Sequence, residues 1–282
     1  MPATPDTPDT PDHRDARPRS SGRPTLGMRL RSAVYLAWLV LTVVPYALAA
    51  LALSLVVSGR PLYRFCTGWA WLALQGARYI CGIEWRVQGL DNLPQGPAIV
   101  LSKHQSAWET LALPILLGRP LSYVFKRELL WVPFFGWTLG RLDMVHIDRS
   151  RGAQAFSRMQ QQGRELLDKG YSIVMFPEGT RTARGKSGPY KSGGAKLALL
   201  TGAPVVPVAV TSARCWPRQA FVKRPGVIDV SIGAPLPPQA PHASELSARV
   251  ERWIEHEMHR LDADAYASAP AGAPSAGEPA ER

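Results

Sequence analysis

Cysteine is scarce in this chain: Cys66, Cys81 and Cys215 are the only three in 282 residues. They are too few and too far apart for a disulfide framework or a four-ligand zinc site, and a reducing compartment is the simple reading. Acidic residues are also short, with 22 Asp and Glu against 33 Lys and Arg, a formal net charge of +11 and a pI near 10.0. That excess points to an anionic partner: nucleic acid, an anionic membrane surface or a phosphorylated substrate. No G-x-S-x-G elbow surrounds Ser106, which argues against a serine acyl-enzyme. A P-loop is missing too. Gly179 and Gly185-Lys186-Ser187 imitate one, but five residues separate the glycines instead of four, and Pro189 follows too closely for a helix to open there. His256 and His259 share a helix face without an evident third ligand, so no metal is expected. What the chain does have is apolar material: 46% hydrophobic residues, which excludes global disorder.

That material is unevenly distributed. Residues 4–12 read TPD three times over and lead into a Pro-, Arg-, Ser- and Gly-rich stretch, so 1–27 is expected to be a disordered tail. The stretch 263–282, rich in Ala, Pro, Gly and Ser, is expected to behave alike. Ala33–Val57 carries no charge at all. As a helix it would reach roughly 37 Å, beyond a hydrocarbon core of about 30 Å, with a kink at Pro45. Phe65–Ile83 is shorter and holds Trp69, Trp71 and Tyr79, which suits an interfacial or re-entrant helix. Residues 28–83 are therefore read as a membrane-associating helical segment. Arg29, Arg31, Arg60, Arg64 and Arg86 put positive charge on every flank, so a hairpin dipping into the cytoplasmic leaflet and a single span both stay open.

From Glu84 to Asp262 short β-rich runs alternate with helical ones. Strands are expected at 85–87, 98–102, 122–125, 144–147, 172–176, 205–210 and 227–232. Helices are expected near 107–117, 151–169, 193–201 and 244–261. This alternation predicts an α/β domain over 84–262, with a largely parallel or mixed sheet flanked by helices. In such sheets chemistry gathers in loops at the carboxyl ends of strands.

Two motifs fall at those points. Lys103-His104-Gln105-Ser106-Ala107-Trp108-Glu109 follows the second expected strand. Five residues on a continuous helix turn about 140° away from the starting face, so His104 and Glu109 can meet only if His104 sits in the loop before the helix and Glu109 in its first turns. The carboxylate would then fix one imidazole nitrogen and leave the other as a base. Phe176-Pro177-Glu178-Gly179-Thr180-Arg181 follows the fifth expected strand. Glycine lets backbone approach a ligand, Thr180 adds a hydroxyl and Arg181 a fork for carboxylate or phosphate. Arg184, Lys186, Lys191 and Lys196 follow with no acid between Arg181 and Lys196, and Gly193-Gly194 opens a helix whose N-terminus could also face an anion.

KHQSAWE resembles the first motif of the glycerolipid acyltransferase superfamily, usually N-H-x4-D, and FPEGTR matches its third. Lys126-Arg127-Glu128-Leu129, Pro133-Phe134-Phe135-Gly136 and Val145-His146-Ile147-Asp148-Arg149 look like its second motif region, and Val206-Pro207-Val208-Ala209-Val210 is similar to its fourth. The pattern is most similar to the bacterial 1-acylglycerol-3-phosphate acyltransferases, also called lysophosphatidic acid acyltransferases, over roughly Leu26–Leu261. Lys103 stands where Asn is usual and Glu109 where Asp is usual.

The resemblance implies acyl transfer from acyl-carrier protein or a coenzyme A thioester to the sn-2 hydroxyl of lysophosphatidic acid. His104 would be the base and Glu109 its orienting carboxylate. Arg181, with Lys126 as a second cation, would hold the acceptor phosphate, while Glu178, Gly179 and Thr180 would shape the glycerol-phosphate pocket. No cofactor is expected beyond the acyl donor as co-substrate. The expected location is the inner membrane, with the site facing the cytoplasm. Rival readings are O-acylation of another lysolipid, such as a lyso-ornithine lipid, and a basic membrane scaffold. Nucleic acid is set aside, because no nucleic-acid module matches and the 33–57 run is apolar.

Overall fold

The computed structural model describes residues 23–147 and 152–267; most of both expected tails, and Asp148 and Arg149, lie outside the described residues. Thr25 caps the first helix, α1 (Leu26–Leu53), its hydroxyl accepting from the Met28 N–H at 3.2 Å. The helix starts ahead of the charge-free run and continues through Pro45. α2 (Gly59–Cys81) returns beside it and ends on Gly82, whose φ of +69° takes the left-handed cap position that glycine adopts without strain. The two helices run antiparallel. Tyr35 Oη donates to the Ala73 carbonyl at 3.0 Å, Trp69 Nε1 to Thr42 Oγ1 at 3.2 Å, and Tyr46 Oη to the Phe65 carbonyl at 2.9 Å. Small residues allow this approach: a Cβ at Gly76 would lie 2.5 Å from the Trp38 ring.

Among the described residues, α1 is the one helix long and apolar enough to cross a membrane. Its most apolar window has a mean hydropathy of 2.2 and is only 11% buried. α2 differs. Leu62, Tyr63, Ala70, Ala73, Leu74, Ala77 and Cys81 are buried along one side, and Tyr63, Leu74, Ala77 and Cys81 join the main hydrophobic core. The helical hairpin thus shares the hydrophobic core of the α/β body. The body also holds the hairpin elsewhere. The Lys223 N–H donates to Ser32 Oγ at 2.8 Å, Arg60 Nη2 to the Lys169 carbonyl at 2.7 Å, and Thr138 Oγ1 to the Ala47 carbonyl at 3.4 Å.

Among the described residues seven strands form one mixed sheet: β1 (Ile83–Gln88), β2 (Ile99–Ser102), β3 (Leu121–Lys126), β4 (Val145–Ile147), β5 (Ser172–Met175), β6 (Val205–Val210) and β7 (Gly226–Ile232). Their order is β1-β7-β6-β2-β5-β3-β4, and every pair is parallel except β6–β7. Each expected strand lies within two residues of an observed one. The central strands β2 and β6 are buried along their whole length, as continuous Val- and Ile-rich runs require when helices cover both faces. α3 (Trp108–Leu116) packs on α2. α5 (Gly152–Asp168), α6 (Gly193–Thr201) and α7 (Ala243–Leu261) form a second helical layer.

Two features escaped the periodicity. The short α4 (Phe135–Leu139) folds against the end of α1, and the turn Arg127–Trp131 packs on α4. α8 (Ala263–Tyr266) adds a helical turn where a tail was expected. Between β2 and β5 the register is parallel, Ile99 facing Ile173 and Leu101 facing Met175. The loops after these strands therefore emerge side by side.

Candidate active site

His104 lies in the loop between β2 and α3, and Glu109 in the first turn of α3. The pair meets, with His104 Nδ1 3.0 Å from Glu109 Oε1. The Glu109 carboxylate has no exposed surface. Its Oε1 also accepts the Gln105 N–H at 2.6 Å and the Ser106 N–H at 2.8 Å, and its Oε2 accepts Ser106 Oγ at 2.9 Å. Burial alone would push this carboxyl up. The hydrogen bonds from His104 and the loop amides outweigh that, and its pKa lies below the usual value, so it is ionised at neutral pH. An ionised carboxylate with no proton to give makes Nδ1 the donor, which leaves the Nε2 lone pair free. Ser106 has a structural task here, since its hydroxyl also accepts the Trp108 N–H at 2.9 Å.

The FPEGTR loop closes on His104 from the other strand. The Phe176 ring stacks on the imidazole, with centroids 3.8 Å apart and planes 16° from parallel. Glu178 Oε2 accepts the His104 N–H at 3.1 Å, while the His104 carbonyl accepts the Thr182 N–H at 2.8 Å and Thr182 Oγ1 at 3.2 Å. Ring and backbone are thus both fixed. Gly179 takes a φ of +69°, and a Cβ there would lie 3.1 Å from Lys191 Nζ. Glu178, expected to shape the glycerol-phosphate pocket, has a buried carboxylate and is not among the residues that wall the cavity His104 lines. Oε1 meets Lys103 Nζ at 2.7 Å and the Gly188 N–H at 3.1 Å, so its oxygens are occupied within the protein.

A cavity of about 740 Å³ opens over this arrangement, walled by His104, Phe176, Gly179, Thr180, Arg181, Lys191 and Arg218. Arg218 donates from Nη1 to the Arg181 carbonyl at 2.7 Å. Of the cations expected after Arg181, Lys191 lines this cavity. Arg184 is bound to Asp262 by two hydrogen bonds of 2.8 and 2.7 Å, and Lys196 lies over the Phe156 ring. Lys126 ends β3 opposite Ile147, and its side chain lies outside what the structure describes.

A second cavity of about 200 Å³ adjoins the first beneath the helical hairpin. Val43, Ala47, Ala70, Leu139 and Leu142 wall it, and the two cavities share Thr110, Tyr123, Phe125 and Leu129. Sequence reasoning missed this cavity, and it missed Phe176, Thr182 and Arg218 as site residues. FPEGTR contains Phe176, but only the strand register reveals its stacking. Arg218 and the apolar walls come from segments distant in sequence, and no local signal marks them.

The family profile described as Acyltransferase matches residues 84–211. A 1-acyl-sn-glycerol-3-phosphate acyltransferase from Pseudomonas aeruginosa is 42% identical over 206 residues, spanning 72% of this chain and 80% of the relative. The human 1-acyl-sn-glycerol-3-phosphate acyltransferase alpha is 30% identical over 191 residues, 66% of each chain. Among solved structures, the crystal structure of the 1-acyl-sn-glycerophosphate (LPA) acyltransferase PlsC from Thermotoga maritima has a similar fold. Its TM-score is 0.68 at 24% identity, covering 83% of this chain and 95% of that one.

The depressed pKa of Glu109 has a consequence for stability. A carboxyl whose folded pKa lies below its unfolded one stabilises the fold above the usual carboxylate range, near pH 4.3, and loses that contribution as pH falls through the folded value. Glu109→Gln should therefore cost about 1.5–3 kcal/mol at pH 7, the worth of hydrogen bonds to a charged group, with the deficit shrinking below about pH 4. Denaturant unfolding of both proteins across that range checks this; a deficit independent of pH would contradict an ionised Glu109.

Proposed function

Because the chain belongs to the 1-acyl-sn-glycerol-3-phosphate acyltransferase family, we propose that it transfers an acyl group from a thioester to the free sn-2 hydroxyl of lysophosphatidic acid, giving phosphatidic acid. The observation that carries the mechanism is the His104–Glu109 contact at 3.0 Å, at the mouth of a cavity that also holds Arg181. His104 Nε2 takes the hydroxyl proton as the oxygen attacks the thioester carbonyl. The tetrahedral intermediate then expels the thiolate, the C–S bond breaks, and the imidazolium returns the proton to sulfur. Ester and thiol are the products, and no cofactor enters the step. Glu109 supports it by holding the tautomer and stabilising the transient imidazolium.

Arg181 offers a planar fork to the acceptor phosphate, with Lys191 and Lys126 as further cations. The adjoining apolar cavity suits an acyl chain, since aliphatic and aromatic side chains wall it and it shares Thr110, Tyr123, Phe125 and Leu129 with the cavity that His104 lines. The donor is acyl-carrier protein or a coenzyme A thioester.

The membrane seat follows from the same face of the molecule. Because the α/β body holds both ends of the hairpin, α1 lies along the protein instead of projecting from it. Leu30, Val34, Val40, Leu41 and Leu48 are exposed on α1, and Trp131 (80% exposed), Val132 and Trp137 continue this surface around α4. Exposed apolar area of this extent, carrying Trp and flanked by Arg29, Arg31, Arg64 and Arg78, suits immersion in one anionic leaflet, with basic groups at the head groups. We assign that leaflet to the cytoplasmic side of the inner membrane, where positive flanks are retained.

Three outcomes are expected from detergent-solubilised or vesicle-bound protein. His104→Ala should lower kcat by about 10²–10⁴-fold while leaving the fold intact, measured as transfer of labelled acyl groups from each donor to lysophosphatidic acid. Near-normal turnover, or a trapped acyl-enzyme in the unaltered protein, would sink the direct attack. Arg181→Lys should raise KM for lysophosphatidic acid roughly tenfold, the loss of a charge-assisted hydrogen bond of about 1.5 kcal/mol, and should spare an uncharged monoacylglycerol acceptor. Equal losses on both acceptors would remove Arg181 from the phosphate site. Replacing Trp131 and Trp137 by Ser should slow turnover of long-chain acceptor embedded in vesicles and not of a short-chain, water-soluble acceptor. Equal rates on both would argue against a bilayer seat for this face.

A further inference from the structure

Lys103 is an ammonium with no exposed surface. A buried cation is tolerated only when its protons are matched by acceptors, and here all three are. Nζ lies 2.7 Å from Glu178 Oε1, 2.7 Å from Glu255 Oε1 and 3.2 Å from the Lys186 carbonyl. Glu255 comes from α7, well beyond the region 84–211 covered by the family profile, and its Oε1 is held in turn by Tyr190 Oη at 2.7 Å. Glu178 is the carboxylate that accepts the His104 N–H. A chain of contacts thus runs from the C-terminal helix to the backbone of the proposed base. A second contact ties the same region to the same loop, since Arg184 is clamped by Asp262 just after α7.

We propose that Lys103 and Glu255 act as a coupled pair of positioning residues: Glu255 holds the Lys103 ammonium against Glu178, and Glu178 thereby fixes the backbone of His104. This rests on His104 being the base. One ammonium sits between two carboxylates, so the two partners are not equivalent. Without the ammonium, Glu178 and Glu255 face each other uncompensated. Repulsion then turns Glu178 away from the His104 N–H or forces one carboxyl to take a proton. Removing the Glu255 charge in that situation relieves the repulsion. The same change in the intact protein merely weakens the hold on Lys103. The effect of Glu255→Gln on rate must therefore change sign with the residue at 103. An ion cluster that only stabilises the fold has no such signature, because its losses would appear in melting temperature and leave kcat alone.

The test compares the full-length protein with Lys103→Met, Glu255→Gln and the double variant, and uses Glu245→Gln, exposed at the start of the same helix, as a control. Steady-state kcat and KM for lysophosphatidic acid and the melting temperature are measured for each. Lys103→Met should lower kcat by about 10²-fold with KM within about twofold, the scale expected for a catalytic group displaced by an ångström or so. Glu255→Gln alone should lower kcat less. The double variant should turn over faster than Lys103→Met, and Glu245→Gln should behave as the unaltered protein. An unchanged kcat in folded Lys103→Met, or losses that simply multiply in the double variant, would overturn the pairing. Should Lys103→Met fail to fold, Glu255→Gln carries the test: a lower kcat at constant KM supports the pairing, and a lower melting temperature with unchanged kcat overturns it. His104→Ala separates the two levels, since an active His104→Ala removes the base itself, whereas an inactive one with multiplying losses removes only this pair.

Discussion

The parallel pairing of β2 with β5 is the constraint on which the site depends. Neighbouring parallel strands end at the same edge of the sheet, so their following loops must leave together. One loop carries His104 and the other carries Phe176, Glu178, Gly179 and Arg181. The register places them closely enough for a ring stack at 3.8 Å and backbone hydrogen bonds near 3 Å. A slip of the pairing by one residue would turn every inward side chain of β2 or β5 to the opposite face and separate the loops. Orientation of His104 is therefore a property of the sheet as much as of the His104–Glu109 contact.

Charge within the site is arranged around that junction. Glu109 and Glu178 are both buried carboxylates, and each is stabilised differently. Glu109 collects two backbone amides, a hydroxyl and an imidazole N–H, a donor set that keeps it ionised without a full countercharge. Glu178 has the Lys103 ammonium as well as two amides. The first orients the ring of His104 and the second its backbone. Three cationic side chains, Arg181, Lys191 and Arg218, are among the walls of the cavity. Buried charge thus serves geometry, while the cations on the cavity wall stay outside that network.

Apolar surface is divided in a similar way. α2 spends its aliphatic face on the core, while α1 leaves most of its own outside. The space between the hairpin and α4 stays open as a cavity that shares Tyr123 and Phe125 with the one that His104 lines. Cationic walls and apolar walls thus lie in two cavities that adjoin. Trp131 and Trp137, beside and on α4, are exposed.

Much of this was legible in the sequence, because it rests on local pattern. The charge-free run announces α1, period-two and continuous apolar runs announce the seven strands, and the spacing of His104 and Glu109 demands a loop followed by a helix. The identities of the strand-end motifs gave the chemistry. Other features needed the folded chain. The family resemblance had Glu178 shape the substrate pocket; a side chain's direction at a tight turn depends on the partner it finds, and Glu178 Oε1 meets Lys103. Lys103 read as a departure from the usual Asn, and its meaning depends on Glu255, 152 residues away. The apolar cavity is assembled from α1, α2, α3, β3 and α4, none of which encloses it alone. Sequence by itself determined which elements form and which chemical groups end the strands, since propensity and periodicity act over a few residues. Tertiary structure alone decided where each buried charge points and where hollow space remains, because both are set by groups that meet only when distant segments pack.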